Sequence, residues 1–81
     1  MKVYVRLSTG LAQATGTPRL VVDLTEEATI SDLLTHLRIT YPALATKLRA
    51  AVPTVSGRHV SSTEPLSTGQ EVALLLPIAG G

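Results

Sequence analysis

Cysteine, phenylalanine and tryptophan are all missing from the 81 residues, and charge of either sign is sparse. Without cysteine there is no disulfide, thiolate metal site, iron–sulfur cluster or cysteine nucleophile. Any sulfur this protein handles has to arrive from another molecule. With Tyr4 and Tyr41 as the only aromatic residues, the core has to be aliphatic. Seven Lys and Arg against six Asp and Glu leave a net charge of +1, scattered along the chain. That distribution lacks the basic stripe of a nucleic-acid-binding domain, and the tyrosines are not interleaved with basic clusters as a stacking platform requires. No run approaches the roughly 18 apolar residues of a membrane span, and no charged-then-apolar leader opens the chain. The expectation is a cytoplasmic protein with neither a nucleic-acid nor a membrane partner.

What remains is a chain of ordinary globular composition, 44% apolar. Its length fits one small domain that buries about 60% of its unfolded surface. Val3, Val5 and Leu7 alternate with Lys2, Tyr4 and Arg6, the period of a half-buried strand. Ser8 to Pro18, punctuated by Gly10, Gly16 and Pro18, reads as a loop or wide turn. Leu20, Val22 and Leu24 alternate with Arg19, Val21 and Asp23, which predicts an antiparallel hairpin with the first strand.

The period then changes. Ile30, Leu33, Leu34, Leu37 and Tyr41 fall on one helical stripe, opened by Thr29 and Asp32 at capping-box spacing and closed by Pro42. Ala43 to Ala51 reads as a short helical turn and a link. Val52 to Val55 is a weak strand that Pro53 assigns to an edge or bulge. Ser56-Gly57 turns into Arg58-His59-Val60, and Leu66 anchors the polar loop from Ser61 to Gly69. The near-continuous apolar run Val72-Ala73-Leu74-Leu75-Leu76 is a central strand or has one face reserved for a partner. The order β-β-α-β-β-β predicts an α+β fold, a mixed sheet of four to five strands with one main helix across one face. The first and last strands are expected to form its central pair.

Pro77-Ile78-Ala79-Gly80-Gly81 closes the sequence. At a glycine frequency of about 7%, a terminal pair arises in roughly one chain in 200. Two residues without Cβ make the thinnest backbone available and tolerate any φ. Such an end fits a narrow slot in another protein, with the Gly81 carboxylate at its tip. Five extended residues reach roughly 15–18 Å, and Pro77 stiffens their departure from the strand. The expected organisation is a domain over 1–76 and a tail over 77–81.

Lys2-Val3-Tyr4-Val5-Arg6-Leu7, Ala28-Thr29-Ile30-Ser31-Asp32-Leu33-Leu34, Tyr41-Pro42-Ala43-Leu44, Pro65-Leu66, Gly69-Gln70-Glu71-Val72-Ala73 and Gly80-Gly81, in this order, resemble the MoaD/ThiS group of ubiquitin-like sulfur carriers. The resemblance covers nearly the whole chain and implies the β-grasp fold. Ser56-Gly57 stands where that group usually has Asn-Gly, Gln70 replaces a common aspartate, one proline precedes the tail instead of two, and the opening is less aromatic. The resemblance further implies a carrier rather than an enzyme. A ubiquitin-activating-enzyme-like partner would adenylate Gly81, using ATP and magnesium that this chain does not itself bind. A sulfur donor such as a cysteine desulfurase system would replace AMP and leave a thiocarboxylate. Length and ending look most like the small subunit of molybdopterin synthase, acting in molybdenum cofactor biosynthesis with a larger catalytic subunit. Sulfur supply for thiamine thiazole, cysteine or tRNA thiolation is an alternative, as is a protein modifier conjugated through Gly81.

Tyr4, Leu7, Ala73 and Leu75 are candidate docking residues, with plain core as the competing assignment. His36 and His59, the only imidazoles, have no carboxylate pair beside them, so no metal site is expected. Glu26-Glu27 reads as a solvated turn.

Overall fold

In the computed structural model, residues 1–77 are described. Along the chain run β1 (Lys2–Leu7), α1 (Thr9–Thr15), β2 (Arg19–Asp23) and α2 (Ile30–Thr40), then a 3₁₀ turn over Pro42–Leu44 and α3 (Ala45–Leu48), and finally β3 (Val52–Val55), β4 (Arg58–His59) and β5 (Glu71–Leu75). The strands form one mixed sheet in the order β2-β1-β5-β3-β4. β1 and β5 pair in parallel; every other neighbour is antiparallel. The expected central pairing of the first and last strands is what the sheet has.

Alternation sorts the strand residues onto two faces. Val3, Val5, Leu7, Leu20, Val22, Val72 and Leu74 point inward and join Leu11, Ile30, Leu33, Leu37, Leu44 and Leu48 in one aliphatic core. Fully burying a leucine or valine contributes about 1.5–3 kcal/mol, so this face holds the domain together. Tyr4, Arg6, Val21, Glu71 and Leu75 point the other way and stay exposed. Among the described residues, helices cover one side of the sheet only.

α2 starts and stops where the sequence predicts. Thr29 N–H donates to Asp32 Oδ2 (2.9 Å) and Asp32 N–H donates to Thr29 Oγ1 (3.3 Å). Both arms of the capping box are present. At the other end Pro42 cannot continue the ladder, and the chain passes into the 3₁₀ turn. The loop after β4 is tied to the start of α2: Ile30 N–H donates to Glu64 O (3.0 Å), Leu66 N–H to Ala28 O (2.9 Å), and Leu66 is buried.

The segment from Ser8 to Pro18 is the main correction. It is not a loop but contains α1, with Leu11 wholly buried as its anchor. Gly16 (φ 78°) is its left-handed cap, and its N–H donates to Ala12 O (2.8 Å). β1 and β2 are antiparallel neighbours as expected, but a helix rather than a turn joins them. β3 also differs from expectation, lying inside β4 instead of at the edge. Proline is tolerated because Pro53 O accepts from Val60 N–H (3.2 Å), just beyond the two-residue β4. Its nitrogen shares that outward side, so no interior rung is lost.

Candidate functional site

β5 carries the chain from the middle of the sheet to Leu76 and Pro77, where the predicted tail would begin. Because β5 runs parallel to β1, its last residues draw level with Leu7 and Ser8; Leu7 faces Leu74 in the register. Ser8 N–H donates to Leu74 O (3.0 Å), and Leu76 N–H donates to Ser8 Oγ (3.2 Å). Leu76 is half-buried against the core, and Pro77 is exposed. Ile78, Ala79, Gly80 and Gly81, the rest of the predicted tail, lie outside the described residues.

The open face of the sheet supplies a surface beside that exit. Tyr4 and Leu75 are 45% and 40% exposed. Ala73, 5% exposed, is on the same face between them and is flanked by Arg6 on β1 and Thr54 on β3. Leu7 stands apart from the other three: it is 4% exposed and belongs to the helix-covered core. The period of 2 separates them, since an odd-numbered residue of β1 cannot share a face with Tyr4.

Three neighbours not singled out from sequence complete this surface. Val21, 61% exposed, is the cross-strand partner of Tyr4. Arg6 lies between the two exposed apolar positions, with Nη1 4.0 Å from Glu71 Oε1. Both ends of that pair are solvated, so it contributes at most about 1 kcal/mol. Thr54 is buried in the floor. Arg6, Thr54, His59, Glu71, Ala73 and Leu75 are among the residues around a shallow depression of about 300 Å³. The alternation of Tyr4, Arg6 and Val21 was visible in sequence. What was not visible was which outward residues the strand order would bring side by side.

Other candidates stay dispersed. His59 is on the rim of that depression and His36 is on α2. Among the described residues, no group of three His, Asp or Glu side chains is placed to hold a metal ion. Glu26 and Glu27 are exposed in the turn before α2. No helix among the described residues is long and apolar enough to cross a membrane.

A five-stranded mixed sheet in the order 2-1-5-3-4, with a helix laid across one face, defines a β-grasp protein of the ubiquitin-like class. A family model described as the ThiS family matches residues 5–81, and the chain belongs to that family. SAMP1, a small archaeal modifier protein of Haloferax volcanii, is 26% identical over 100% of both chains, with a TM-score of 0.89. A Pyrococcus furiosus protein assigned as subunit 1 of a molybdopterin converting factor is 23% identical, with 96% of this chain and 99% of that one covered and a TM-score of 0.87. A chain of the Helicobacter pylori complex of molybdopterin-converting factor subunits 1 and 2 is 20% identical over 100% of both chains, with a TM-score of 0.74. These last two likenesses concern the fold. A search of curated proteins returned no match. The protein therefore has the fold of a MoaD/ThiS-type ubiquitin-like carrier or modifier.

Proposed function

We propose that this chain is a sulfur carrier whose reactive atom is the C-terminal carbonyl carbon of Gly81. The observation that carries the reading is the family match, which runs through Gly80-Gly81 to the last residue. A carboxylate is a poor electrophile, because its charge is delocalised and oxide is a very bad leaving group. An adenylating partner of the ubiquitin-activating type overcomes this. A Gly81 carboxylate oxygen attacks the α-phosphorus of ATP, pyrophosphate departs, and the acyl-adenylate now has AMP as leaving group. The partner, not this chain, holds ATP and magnesium. A persulfide sulfur from a cysteine desulfurase system displaces AMP, and cleavage of the resulting S–S bond by a thiol leaves the thiocarboxylate. That group is ionised at neutral pH and is a sulfur nucleophile.

In this reading the chain is a co-substrate rather than a catalyst. Pro77 to Gly81 form a tail threaded into each partner, recognised by backbone hydrogen bonds and capture of the terminal carboxylate. Tyr4, Val21, Arg6 and Leu75 on the open face form the docking surface, an amphipathic patch beside the tail's root. The receiving partner is the large catalytic subunit of molybdopterin synthase, with transfer to a molybdopterin precursor. The Helicobacter pylori complex of subunits 1 and 2 supports this choice by fold.

The test is reconstitution. Incubated with ATP, an activating enzyme and a sulfur donor, the protein should exchange one carboxylate oxygen for sulfur in its intact mass, and Gly81→Val should not. Wild-type protein that stays unchanged in mass across the activating enzymes of the candidate pathways overturns the proposal. A second reading, a protein modifier conjugated through Gly81, is favoured by the 26% identity to SAMP1. Isopeptide-linked diglycine remnants on lysines of other proteins would support it.

A further inference from the structure

Ser8 occupies the N-cap position of α1, yet its side chain makes no cap hydrogen bond. Serine is favoured at that position because its oxygen can accept from the helix's first free N–H groups. Here the hydroxyl serves β5 instead. The parallel ladder between β1 and β5 proceeds through Tyr4 N–H to Gln70 O (2.9 Å) and ends with Ser8 N–H to Leu74 O (3.0 Å). Its next rung would run from Leu76 N–H to the Ser8 carbonyl. That carbonyl has already turned into α1, where it accepts from Leu11 N–H (3.0 Å) and Ala12 N–H (2.8 Å). Ser8 Oγ takes its place and accepts from Leu76 N–H at 3.2 Å.

Gly10, the second residue of α1, makes room for the same leucine. Its helical position gives no backbone reason for glycine, a poorer helix former than alanine. The reason is contact: a Cβ on Gly10 would stand 2.8 Å from Leu76 Cδ1. From behind, Lys47 Nζ on α3 donates to Gly10 O (2.9 Å), tying the start of α1 to a second helix. Leu76 is thus held through its N–H by Ser8, while the absent Cβ of Gly10 leaves room for its side chain. It is followed at once by Pro77, whose φ is fixed.

We propose that Ser8 and Gly10, with Lys47 bracing Gly10, form a clamp that seats Leu76 and so sets where the C-terminal segment starts, making them positioning residues for reactions at Gly81. The proposal rests on the sulfur-carrier reading for its functional consequence. The clamp sets the direction of the chain at Leu76–Pro77. The position of Leu76 fixes where everything after Pro77 starts, so a displaced Leu76 displaces the start of the path to the Gly81 carboxylate. Misplacement of a reacting atom by about 1 Å can cost up to about a hundredfold in rate.

Adenylation of the full chain by its activating enzyme, followed as ATP–pyrophosphate exchange, separates aiming from folding and docking. Ser8→Ala and Gly10→Ala should each lower kcat by about tenfold with KM nearly unchanged. Ser8→Thr, which keeps the hydroxyl, should restore kcat, and Leu76→Val should rescue Gly10→Ala by removing the obstructing methyl. The melting temperature of each variant is read alongside, and a loss of kcat in a variant that still melts with the wild type cannot be unfolding. Amide exchange at Leu76 should accelerate about tenfold in Ser8→Ala, the equivalent of one lost hydrogen bond. Unchanged kcat in both alanine variants, or a change in KM alone, overturns the clamp. If the wild type itself supports no exchange, the functional reading fails, and the Leu76 amide then decides: no acceleration in Ser8→Ala overturns the clamp, while acceleration retains it.

Discussion

Thr29 and Asp32 each satisfy the other's backbone: Thr29 N–H donates to Asp32 Oδ2 at 2.9 Å, and Asp32 N–H donates to Thr29 Oγ1 at 3.3 Å. Their hydroxyl and carboxylate also meet at 3.1 Å. Asp32 further lies in the first turn of α2, where a negative charge is favoured by the helix dipole. Thr29→Ala and Asp32→Ala should each cost about 1 kcal/mol in urea unfolding. The double variant should cost less than the sum, because either change disables the other's role. Strict additivity would show that the two bonds act independently.

Leu74 and Leu75 are adjacent, identical and oppositely placed. Leu74 is wholly buried in the core, while Leu75 is 40% exposed on the open face. Leu74→Ala should cost about 2–5 kcal/mol, much of the stability a domain of this size has. Leu75→Ala should cost well under half as much, and its effect should appear in partner affinity. Equal losses of stability for the two would mean that the open face is as tightly packed as the covered one.

Most of this architecture was legible because periodicity and termination signals agree. In β1 the residues Val3, Val5 and Leu7 alternate without interruption, and in α2 the stripe Ile30, Leu33 and Leu37 is framed by Thr29 and Pro42. α1 was not legible, for two reasons. A helix of seven residues shows one buried side chain, Leu11, which is too little for a period. Its two glycines resemble loop punctuation, although Gly16 is a helix cap and Gly10 answers to Leu76 across the fold. The importance of Ser8 was hidden likewise, since its partner lies 68 residues away. The open face was half legible. Outward alternation names Tyr4, Arg6 and Val21, but only the order β2-β1-β5-β3 sets them beside Leu75 and Thr54.

The turn between β3 and β4 holds a local conflict. Ser56 (φ 52°) and Gly57 (φ 77°) are both left-handed, as a two-residue hairpin turn of the I′ type requires. Glycine adopts that region freely, whereas a residue with Cβ pays roughly 1–2 kcal/mol there, and asparagine is several-fold enriched in it. Ser56 is exposed and carries no described hydrogen bond that the change would break. Ser56→Asn should therefore raise stability by about 0.5 kcal/mol, readable as a higher urea midpoint at constant slope. A fall in midpoint would mean that the serine hydroxyl does work in this turn.

Docking and chemistry occupy different parts of the proposed site, so they should separate kinetically. Tyr4 and Val21 are cross-strand partners on the open face, and each is substantially exposed. Tyrosine is among the residue types that anchor interfaces, and truncating such an anchor costs at least about 1–2 kcal/mol of binding. Tyr4→Ala should therefore raise KM for adenylation by about tenfold, while kcat and the melting temperature change little. Gly81→Val should do the reverse, abolishing turnover while the docked complex still forms and competes with wild-type protein. Combining the two should remove that competition as well. If Tyr4→Ala instead lowered kcat at unchanged KM, the open face would be acting on tail placement, and the docking surface would have to lie elsewhere, with the apolar hollow lined by Leu7, Ala12 of α1 and Pro18 the next surface to test.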